Sequence, residues 1–244
     1  MQPLAIVTGT SRGIGLAVAQ ALLDRGWGVL GASRGPAAEE LGPSYKHTRL
    51  DLSDLAAVEA WGRTEVAPQV AAAHRVALVN NAGILDPLGP ADSLPLADLD
   101  THLRVNLTTP TWLAGLVVHH TAPQTPLRII NLSSGAATKP YPGWIAYCSG
   151  KAGLQMAGEV LAVEPEAYGE ERDLAVVSYA PNVVATAMQA QLRAAEETVF
   201  PLRQRFVELH EEGGLVDAQG PAVEIANLCG SDGLPAHSTM RFSP

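Results

Sequence analysis

The sequence predicts an α/β fold in which helices cover both faces of one parallel, doubly wound sheet, so that the protein has three layers. Short apolar runs of strand length alternate with helical stretches along the chain. A glycine-rich turn joins the first apolar run to the first helix. The 244 residues, 47% of them hydrophobic, suffice for a large core. Because no linker or repeat is visible, we expect one domain over residues 1–244.

Five apolar runs are predicted as strands, at residues 4–7, 28–32, 49–52, 76–79 and 127–132. Helices are predicted over residues 16–23, about 96–109, 145–163 and 188–215. Ligands bind at the carboxyl edge of an open parallel sheet, so the polar residues that follow these strands are expected to meet in one site.

The turn after the first strand carries three glycines where a bound phosphate needs them. Gly9 allows a sharp turn, while Gly13 and Gly15 let the main chain approach an anion and let the next helix pack on the sheet. The start of that helix offers free N–H groups. The first two glycines are further apart than in the commoner dinucleotide fingerprint, and an ordinary strand-to-helix turn is the alternative.

A tyrosine and a lysine lie four residues apart, shortly after the fifth strand. If residues 147–151 are helical, Tyr147 and Lys151 share a face, and the ammonium lies beside the phenol. A nearby positive charge should lower the pKa of the phenol from its usual value of about 10. Tyr147 would then be a usable acid or base at neutral pH. The pair alone is weak, because helix surfaces produce it by chance.

With these motifs in order, the chain resembles the short-chain dehydrogenase/reductase family over essentially its whole length. The motifs are the glycine turn at residues 8–15, Asn-Asn-Ala-Gly at 80–83, Asn106, Ser134, Tyr147 with Lys151, and residues 181–186. Residues 131–152, 179–181 and 213–217 are similar to the sepiapterin reductases and the related bacterial benzil reductases. The family implies a Rossmann-type sheet and a nicotinamide dinucleotide coenzyme.

The resemblance also implies the catalytic roles. Tyr147 gives a proton to the substrate carbonyl oxygen, and Ser134 donates a hydrogen bond to the same oxygen. Lys151 lowers the pKa of the phenol and holds the nicotinamide ribose, and Asn106 binds a water that connects Lys151 to solvent. Ser133 competes with Ser134, because adjacent side chains on a strand face opposite sides.

Arg34 predicts that the coenzyme is NADP(H). An NAD site usually has an acidic residue after the second strand, whereas this chain has Ser33 and Arg34. A guanidinium suits a 2′-phosphate, although Arg34 could instead be an ordinary surface arginine. The predicted coenzyme contacts, mostly implied by the resemblance, are Gly9, Ser11, Arg12, Gly13, Ile14, Gly15, Ser33, Arg34, Asp51, Leu52, Asn81, Ala82, Gly83, Tyr147, Lys151, Pro181, Val184 and Thr186.

Two of these contacts carry open questions. Asp51 resembles the family's adenine-contacting acid, but it could instead cap the following helix, as could Ser53 or Asp54. Near Thr186 and Val184, expected at the nicotinamide end, Asn182 replaces a glycine that is common in the family. Asparagine tolerates left-handed backbone angles, so the turn should survive.

The expected substrate is a benzil-type diketone or another bulky, apolar carbonyl compound. Sepiapterin reductases hold the pterin through an aspartate near the C-terminus, and residues 236–244 contain no acid. The alternatives are a sepiapterin-type pterin carbonyl reductase, or an alcohol dehydrogenase working in the oxidative direction. In a different class, a non-catalytic dinucleotide-binding regulator is the remaining alternative.

The segment 188–215 caps the active site in this family. Its apolar residues could be ordinary helix packing or substrate contacts, and two aromatic residues that precede Tyr147 could line the pocket or pack elsewhere. The apolar residues are Leu192, Phe200, Phe206 and Leu209, and the aromatic residues are Tyr141 and Trp144.

Composition limits the possible partners. A net charge of −9 argues against nucleic acid, and no apolar run approaches the length of a membrane span. The two cysteines, Cys148 and Cys229, suggest no disulfide framework and favour the cytoplasm. The seven histidines show no metal-ligand spacing, so no metal is predicted. The resemblance implies a homodimer or homotetramer, in which Val160, Leu161 and Val163 belong to the interface or to the core.

Overall fold

The computed structural model describes residues 2–37 and 41–243, and within these ranges seven strands form one sheet in which all neighbours pair in parallel. The strands are β1 (Leu4–Thr8), β2 (Gly28–Ser33), β3 (Tyr45–Arg49), β4 (Val76–Asn80), β5 (Leu127–Leu132), β6 (Leu174–Ala180) and β7 (His237–Arg241). Their spatial order is β3-β2-β1-β4-β5-β6-β7. The chain adds strands in one direction from β1 to β3 and in the opposite direction from β4 to β7, so the switch point of the sheet lies between the neighbouring strands β1 and β4. This reversal defines a doubly wound, Rossmann-type sheet and confirms the predicted fold class.

Helices cover both faces of this sheet. They are α1 (Gly13–Leu23), α2 (Leu55–Trp61), α3 (Ala67–Ala72), α4 (Leu96–Leu103), α5 (Thr109–His120), α6 (Ile145–Ala167), α7 (Ala187–Ala194), α8 (Arg203–Glu211) and α9 (Gln219–Gly230). Apolar residues of α1 and α9 form one buried cluster with the sheet, and those of α2, α3, α5 and α6 form another. Alternate strand residues enter different clusters, as Ile6 and Val7 do, because successive side chains of a strand point to opposite faces. Each face of the sheet therefore has its own core.

Strands β1, β2, β4 and β5 match the prediction, the central strand β6 was not predicted, and both edge strands differ from the prediction. The third strand lies at Tyr45–Arg49 rather than at residues 49–52, so Asp51 follows the strand instead of ending it. At the sheet edge, β3 is polar and partly exposed, and it has no apolar run for the sequence to show. The opposite edge strand, β7, was not predicted for the same reason.

Two helix predictions need correction. The helix predicted over residues 96–109 does not end there, because α4 continues through a π-helical turn at Arg104–Thr108 into α5. The segment 188–215 is not one helix, since turns at residues 195–202 separate α7 from α8. Pro201 lies in that break and disfavours helical angles in the residue before it.

Candidate active site

A cavity of about 850 Å³ lies at the carboxyl edge of the sheet, where the sequence predicted the site. Most of the predicted coenzyme and catalytic residues line it, from the glycine turn after β1 to the loop after β6. The predicted lining residues are Gly9, Ser11, Arg12, Gly13, Ile14, Ser33, Arg34, Asp51, Leu52, Asn81, Ala82, Gly83, Tyr147, Lys151, Pro181 and Thr186. The remaining four predicted residues, Gly15, Asn106, Ser134 and Val184, are not among the residues that line the cavity.

The glycine turn interlocks with the segment after β4. Gly9 and Gly13 have positive φ angles of +79° and +58°, which favour glycine. A Cβ on Gly15 would lie 2.2 Å from the Gly9 carbonyl oxygen, so a side chain there would push α1 away from the turn. The Asn81 side-chain amide donates a hydrogen bond of 2.8 Å to the Thr8 carbonyl. The main chain of the turn and the start of α1 thus border the cavity, and this cradle fits a dinucleotide phosphate.

Ser33 and Arg34 border the cavity at the end of β2. Ser33 is buried, and its hydroxyl lies 3.2 Å from the Gly35 carbonyl and 2.9 Å from His47 Nε2. The Arg34 side chain is exposed and carries a charge that can meet an anion. Arg49 Nε donates to the Arg34 carbonyl at 3.1 Å, which ties the turn to β3. This end of the cavity therefore offers a hydroxyl and a guanidinium together.

Asp51 does not cap the next helix. Asp54 caps α2, because its carboxylate accepts a hydrogen bond from Ala57 N at 3.1 Å. The Asp51 carboxylate instead accepts hydrogen bonds from Ser53, at 2.9 Å from its main-chain N and 2.8 Å from its hydroxyl. The pKa of Asp51 is lowered, chiefly by the main-chain hydrogen bond and also by the Arg34 charge. Asp51 thus remains ionised at the rim of the cavity.

Tyr147 and Lys151 are both buried on α6, next to the cavity. Lys151 Nζ lies 5.7 Å from the centroid of the Tyr147 ring and donates a hydrogen bond of 2.6 Å to the Leu132 carbonyl. The two side chains do share a face, as predicted. Lys151 is therefore held by the end of β5, directly beside the phenol.

The expected lowering of the Tyr147 pKa is not what the structure shows. Burial raises the pKa of Tyr147 to about 12, while a hydrogen bond with Ser134 acts in the opposite direction. Burial also lowers the pKa of Lys151 to about 8. The reason is desolvation, which favours the neutral form of both groups. At neutral pH, Tyr147 therefore carries its proton.

The serine hydroxyl that forms a hydrogen bond with the Tyr147 phenol belongs to Ser134 rather than Ser133. Ser134 begins a short turn, where its hydroxyl accepts a hydrogen bond from Ala136 N at 3.2 Å and also meets the Tyr147 phenol. Ser133 extends the sheet through a hydrogen bond from its main-chain N to the Tyr179 carbonyl and forms part of the cavity wall. This arrangement favours Ser134 of the two candidates.

Asn106 is buried in the π-helical turn between α4 and α5. Its side-chain oxygen accepts a hydrogen bond from Ile84 N at 3.0 Å, and its amide nitrogen donates to the Ile84 carbonyl at 2.8 Å. A Cβ on Gly83 would lie 3.0 Å from the Asn106 oxygen and 3.8 Å from Lys151 Nζ. Asn106 therefore anchors the segment after β4 close to Lys151. π-Helical turns of this kind are frequent at functional sites.

The loop after β6 closes the cavity against the glycine turn. Asn182 has a φ of +67°, so asparagine does adopt the left-handed conformation expected at that position. Val184 pairs with Val216 in an isolated parallel bridge. The Thr186 methyl group lies 3.4 Å from where a Cβ on Gly13 would be, and Thr186 lines the cavity.

Comparison with known proteins fits this geometry. Residues 3–197 match the family model of the short chain dehydrogenases. The chain belongs to the short-chain dehydrogenase family. Benzil reductase ((S)-benzoin forming) of Bacillus cereus is 34% identical over 97% of this chain and 98% of its own length. Sepiapterin reductase of Xenopus laevis is 33% identical over 98% of this chain and 95% of its own length.

A solved structure shows the same architecture with a coenzyme. The crystal structure of the 3-oxoacyl-[acyl-carrier protein] reductase of Brucella melitensis in complex with NAD is 25% identical to this chain. It aligns with a TM-score of 0.78 over 99% of this chain and 95% of that chain. This short-chain dehydrogenase is therefore similar to carbonyl reductases in both sequence and fold, and its family binds a nicotinamide dinucleotide.

In this short-chain dehydrogenase, the segment over the cavity is held by an aromatic cluster. The Trp144 ring stacks on Phe200 at a centroid distance of 5.1 Å and contacts Tyr147 at 5.2 Å. Leu192 and Phe206 pack into the same cluster. Tyr147 is the member of this cluster that reaches the cavity, whereas Trp144, Phe200, Leu192 and Phe206 do not line it, and neither do Tyr141 and Leu209. Their position favours packing over substrate contact.

Several lining residues that the sequence did not predict come from helices. Thr101 and Val105 belong to α4 and the following turn, and Ala190, Arg193 and His210 belong to α7 and α8. No motif marks these positions, because helix orientation alone brings them to the cavity. Within residues 2–37 and 41–243, no group of three or more His, Cys, Asp or Glu is arranged to hold a metal, and no helix is long and apolar enough to cross a membrane.

Proposed function

We propose that this short-chain dehydrogenase is an NADP(H)-dependent carbonyl reductase that acts on bulky, apolar ketones or diketones. The observation that carries this proposal is the group formed by Tyr147, Ser134 and Lys151 beside a cavity of about 850 Å³. A neutral, buried phenol with a neighbouring hydroxyl is suited to give a proton to a carbonyl oxygen.

Different residues of the cavity would bind different parts of the coenzyme. The glycine turn and the start of α1 would hold the pyrophosphate, and Ser33 with Arg34 would hold a 2′-phosphate. Asp51 would meet the adenine, and Lys151 the ribose of the nicotinamide. When bound, the coenzyme supplies a hydride to the carbonyl carbon.

The protein supplies the proton and stabilises charge on the substrate oxygen. The Tyr147 and Ser134 hydroxyls donate hydrogen bonds to the carbonyl oxygen, where negative charge develops, and the Tyr147 proton is transferred to it. The Lys151 ammonium beside the ring stabilises the phenolate that remains. The high pKa of Tyr147 keeps its proton in place before the reaction.

A diketone substrate is favoured by two observations. Benzil reductase of Bacillus cereus and sepiapterin reductase of Xenopus laevis match this chain at similar identity, so both substrate classes are candidates. The chain has no acidic residue in residues 236–244 to bind a pterin, and the apolar residues Leu132, Met188 and Leu215 line the cavity. We therefore place benzil-type diketones first and pterins second.

A coenzyme and substrate panel tests the proposal. Absorbance at the nicotinamide band would be followed with NADPH or NADH against benzil, other diketones, simple aromatic ketones and sepiapterin. We expect oxidation of NADPH with benzil or a related diketone and little turnover of sepiapterin. Turnover of sepiapterin alone would contradict the substrate assignment, and no turnover with any carbonyl compound would contradict the enzymatic one.

Replacing Arg34 by Glu tests the coenzyme preference. Because a charged hydrogen bond to the 2′-phosphate is lost and a repulsive charge is added, the NADPH Kd should rise about 10- to 100-fold while the NADH Kd changes little. Arg63→Glu is the matched control, since it changes net charge equally on an exposed face of the π-helical turn Gly62–Val66, remote from the cavity. Equal losses for both coenzymes would show that Arg34 is not a 2′-phosphate ligand.

We also propose a homo-oligomer in the cytoplasm. Met156, Val160 and Val163 are exposed apolar side chains that lie on one face of α6, whereas Leu161 packs against the core. Cys148 and Cys229 are both free thiols, as a reducing compartment would leave them. Sedimentation of the wild type and of Val160→Glu would test the assembly, with dissociation expected for the variant.

A further inference from the structure

His102 is a buried histidine that the proposed chemistry does not use. It lies on α4, has no exposed surface and makes two short hydrogen bonds. Its Nδ1 lies 2.7 Å from the Asp86 carbonyl oxygen, and its Nε2 lies 2.6 Å from the side-chain amide nitrogen of Asn106. The ring therefore connects Asn106 with the loop that follows β4.

The partners of these hydrogen bonds determine which atoms of Asn106 and His102 carry the protons. Ile84 donates to one end of the Asn106 side chain through its N–H and accepts from the other end through its carbonyl, so the orientation of the amide is determined. The second amide hydrogen of Asn106 then points at His102 Nε2, which must accept it. Since the Asp86 carbonyl can only accept, Nδ1 carries the proton and the ring is neutral.

The surroundings of His102 are those of the catalytic group. The ring lies edge-on to Tyr147, with centroids 6.2 Å apart and planes at 82°. A Cβ on Gly150 would lie 3.1 Å from Asn106 Cβ and 3.4 Å from His102 Nε2, so α6 packs closely on both residues. The pKa of His102 is lowered, chiefly by burial and also by the Lys151 charge, which agrees with a neutral ring. His102 thus touches two of the proposed catalytic residues.

We propose that His102 is a positioning residue, whose neutral ring holds the Asn106 amide and through it the segment at Gly83 and Ile84 beside Lys151. Without the acceptor at Nε2, one amide hydrogen of Asn106 is left buried without a partner. The amide would then rotate or attract water, and its two hydrogen bonds to Ile84 would loosen. Because Gly83 borders Lys151, this shift reaches the proposed proton-transfer group. This inference rests on the proposed reductase function.

Two replacements separate the two nitrogens of His102. Gln places an acceptor near the position of Nε2 and can still bind Asn106, whereas Asn places a donor near Nδ1 and can bind only the Asp86 carbonyl. We expect His102→Asn to lower kcat about tenfold or more with little change in the coenzyme Kd, since small misplacements of catalytic groups are costly. His102→Gln should recover most of that loss. His74→Gln, in the exposed loop before β4, is the control for histidine replacement.

A double-mutant cycle distinguishes positioning from general stability. In an Asn106→Ala background, His102→Asn should cause no further loss of kcat, because the amide it would misplace is gone. The proposal is overturned if the Asn and Gln variants have equal kcat, or if the effect of His102→Asn persists in that background. A merely structural histidine would lower Tm in both variants without separating them in kcat.

Two measurements do not depend on turnover. Nitrogen-15 shifts of the wild-type imidazole should show the proton on Nδ1 at neutral pH, and an imidazolium or an Nε2 proton would overturn the proposal. Hydrogen exchange of the Ile84 amide should be faster in His102→Asn than in His102→Gln, and equal rates would also overturn it. If the wild type reduces no carbonyl compound, the proposed function fails by itself, and these measurements still decide the role of His102.

Discussion

The two sides of the cavity are built in different ways. On the coenzyme side, buried strands end in a glycine turn whose shape depends on main-chain contacts, such as the approach of Gly15 to the Gly9 carbonyl. On the lid side, defined here as α7, α8 and the turns between them, side chains make the attachment: Phe200 stacks on Trp144, and Gln191 donates to the Asp86 carboxylate at 2.6 Å. The coenzyme side is thus specified by the backbone and the lid side by packing.

This difference explains why coenzyme binding and substrate choice can change independently in one fold. A main-chain cradle tolerates few substitutions, and its requirement for glycine is visible in a sequence. An aromatic cluster tolerates many apolar combinations of similar volume, so its sequence carries little information about the pocket beneath it. Perturbing the coenzyme side should therefore change the NADPH Kd, and perturbing the lid side should change KM for the carbonyl substrate.

The largest effect should come from Tyr147→Phe, at the boundary of the two sides. Removing the phenol hydroxyl removes the proposed proton donor, so kcat for carbonyl reduction should fall about 10² to 10⁴-fold. Coenzyme Kd and Tm should change little, because the ring still fills its place in the aromatic cluster. Tyr168→Phe is the control, since Tyr168 is 79% exposed at the far end of α6. Wild-type turnover in Tyr147→Phe would refute the proposed role.

The second effect tests the coenzyme side. In Gly15→Ala, the added methyl group would collide with the Gly9 carbonyl oxygen and the Asn81 amide, at 2.2 and 2.4 Å. We expect stability to fall by about 1–3 kcal/mol and the NADPH Kd to rise about tenfold or more, measured by thermal unfolding and by titration.

Gly115→Ala is the matched control for this prediction. Gly115 lies in α5, and a Cβ there would meet nothing within 4 Å. Alanine in the helix interior should stabilise the protein by about 0.5–1 kcal/mol and leave the NADPH Kd unchanged. Equal behaviour of the two variants would mean that the glycine turn is not a main-chain cradle.

The same contrast separates what the sequence predicted from what it missed. The glycine turn, Ser33 with Arg34, and Tyr147 with Lys151 were predicted as a group, and the structure brings them to one cavity. Arg193 and His210 were missed, because only the orientation of α7 and α8 brings them there. The pKa of Tyr147 was predicted in the wrong direction, since a sequence shows the neighbouring charge of Lys151 but not the burial that outweighs it.

The third effect is a pH dependence centred on Lys151. Burial lowers its pKa from 10.5 to about 8, so the ammonium is present below about pH 8 and is lost as the pH rises through that value. We expect kcat/KM for carbonyl reduction to be level below about pH 7 and to fall roughly tenfold per pH unit above 8. A profile that stays level to about pH 10 would contradict the assignment.

Stability should change in the opposite sense in the same range. Because the pKa of Lys151 is lower in the folded state than in the unfolded state, the unfolded state binds more protons between about pH 8 and 10. The stability contributed by Lys151 therefore rises over this range, while activity falls. Comparing Tm for the wild type and Lys151→Met at pH 7 and pH 9.5 measures this contribution, and the Tm difference between the two proteins should shift in favour of the wild type.

The smallest effect should come from Phe200→Ala, which tests the lid side. Phe200 is fully buried and stacks on Trp144, so its removal leaves a cavity in the cluster that holds α7 and α8. We expect KM for the carbonyl substrate to rise roughly 3- to 10-fold, with faster hydrogen exchange in residues 188–211 and an unchanged NADPH Kd.

Phe242→Ala is the control that makes this last prediction specific to the lid. Phe242 packs on Gly220 in the cluster formed with α1 and α9, away from the aromatic cluster at Trp144. Its truncation should lower Tm through the same loss of aromatic packing, yet leave both KM and exchange in residues 188–211 unchanged. If both variants raise KM equally, general stability controls substrate binding, and packing of the lid side has no specific effect on it.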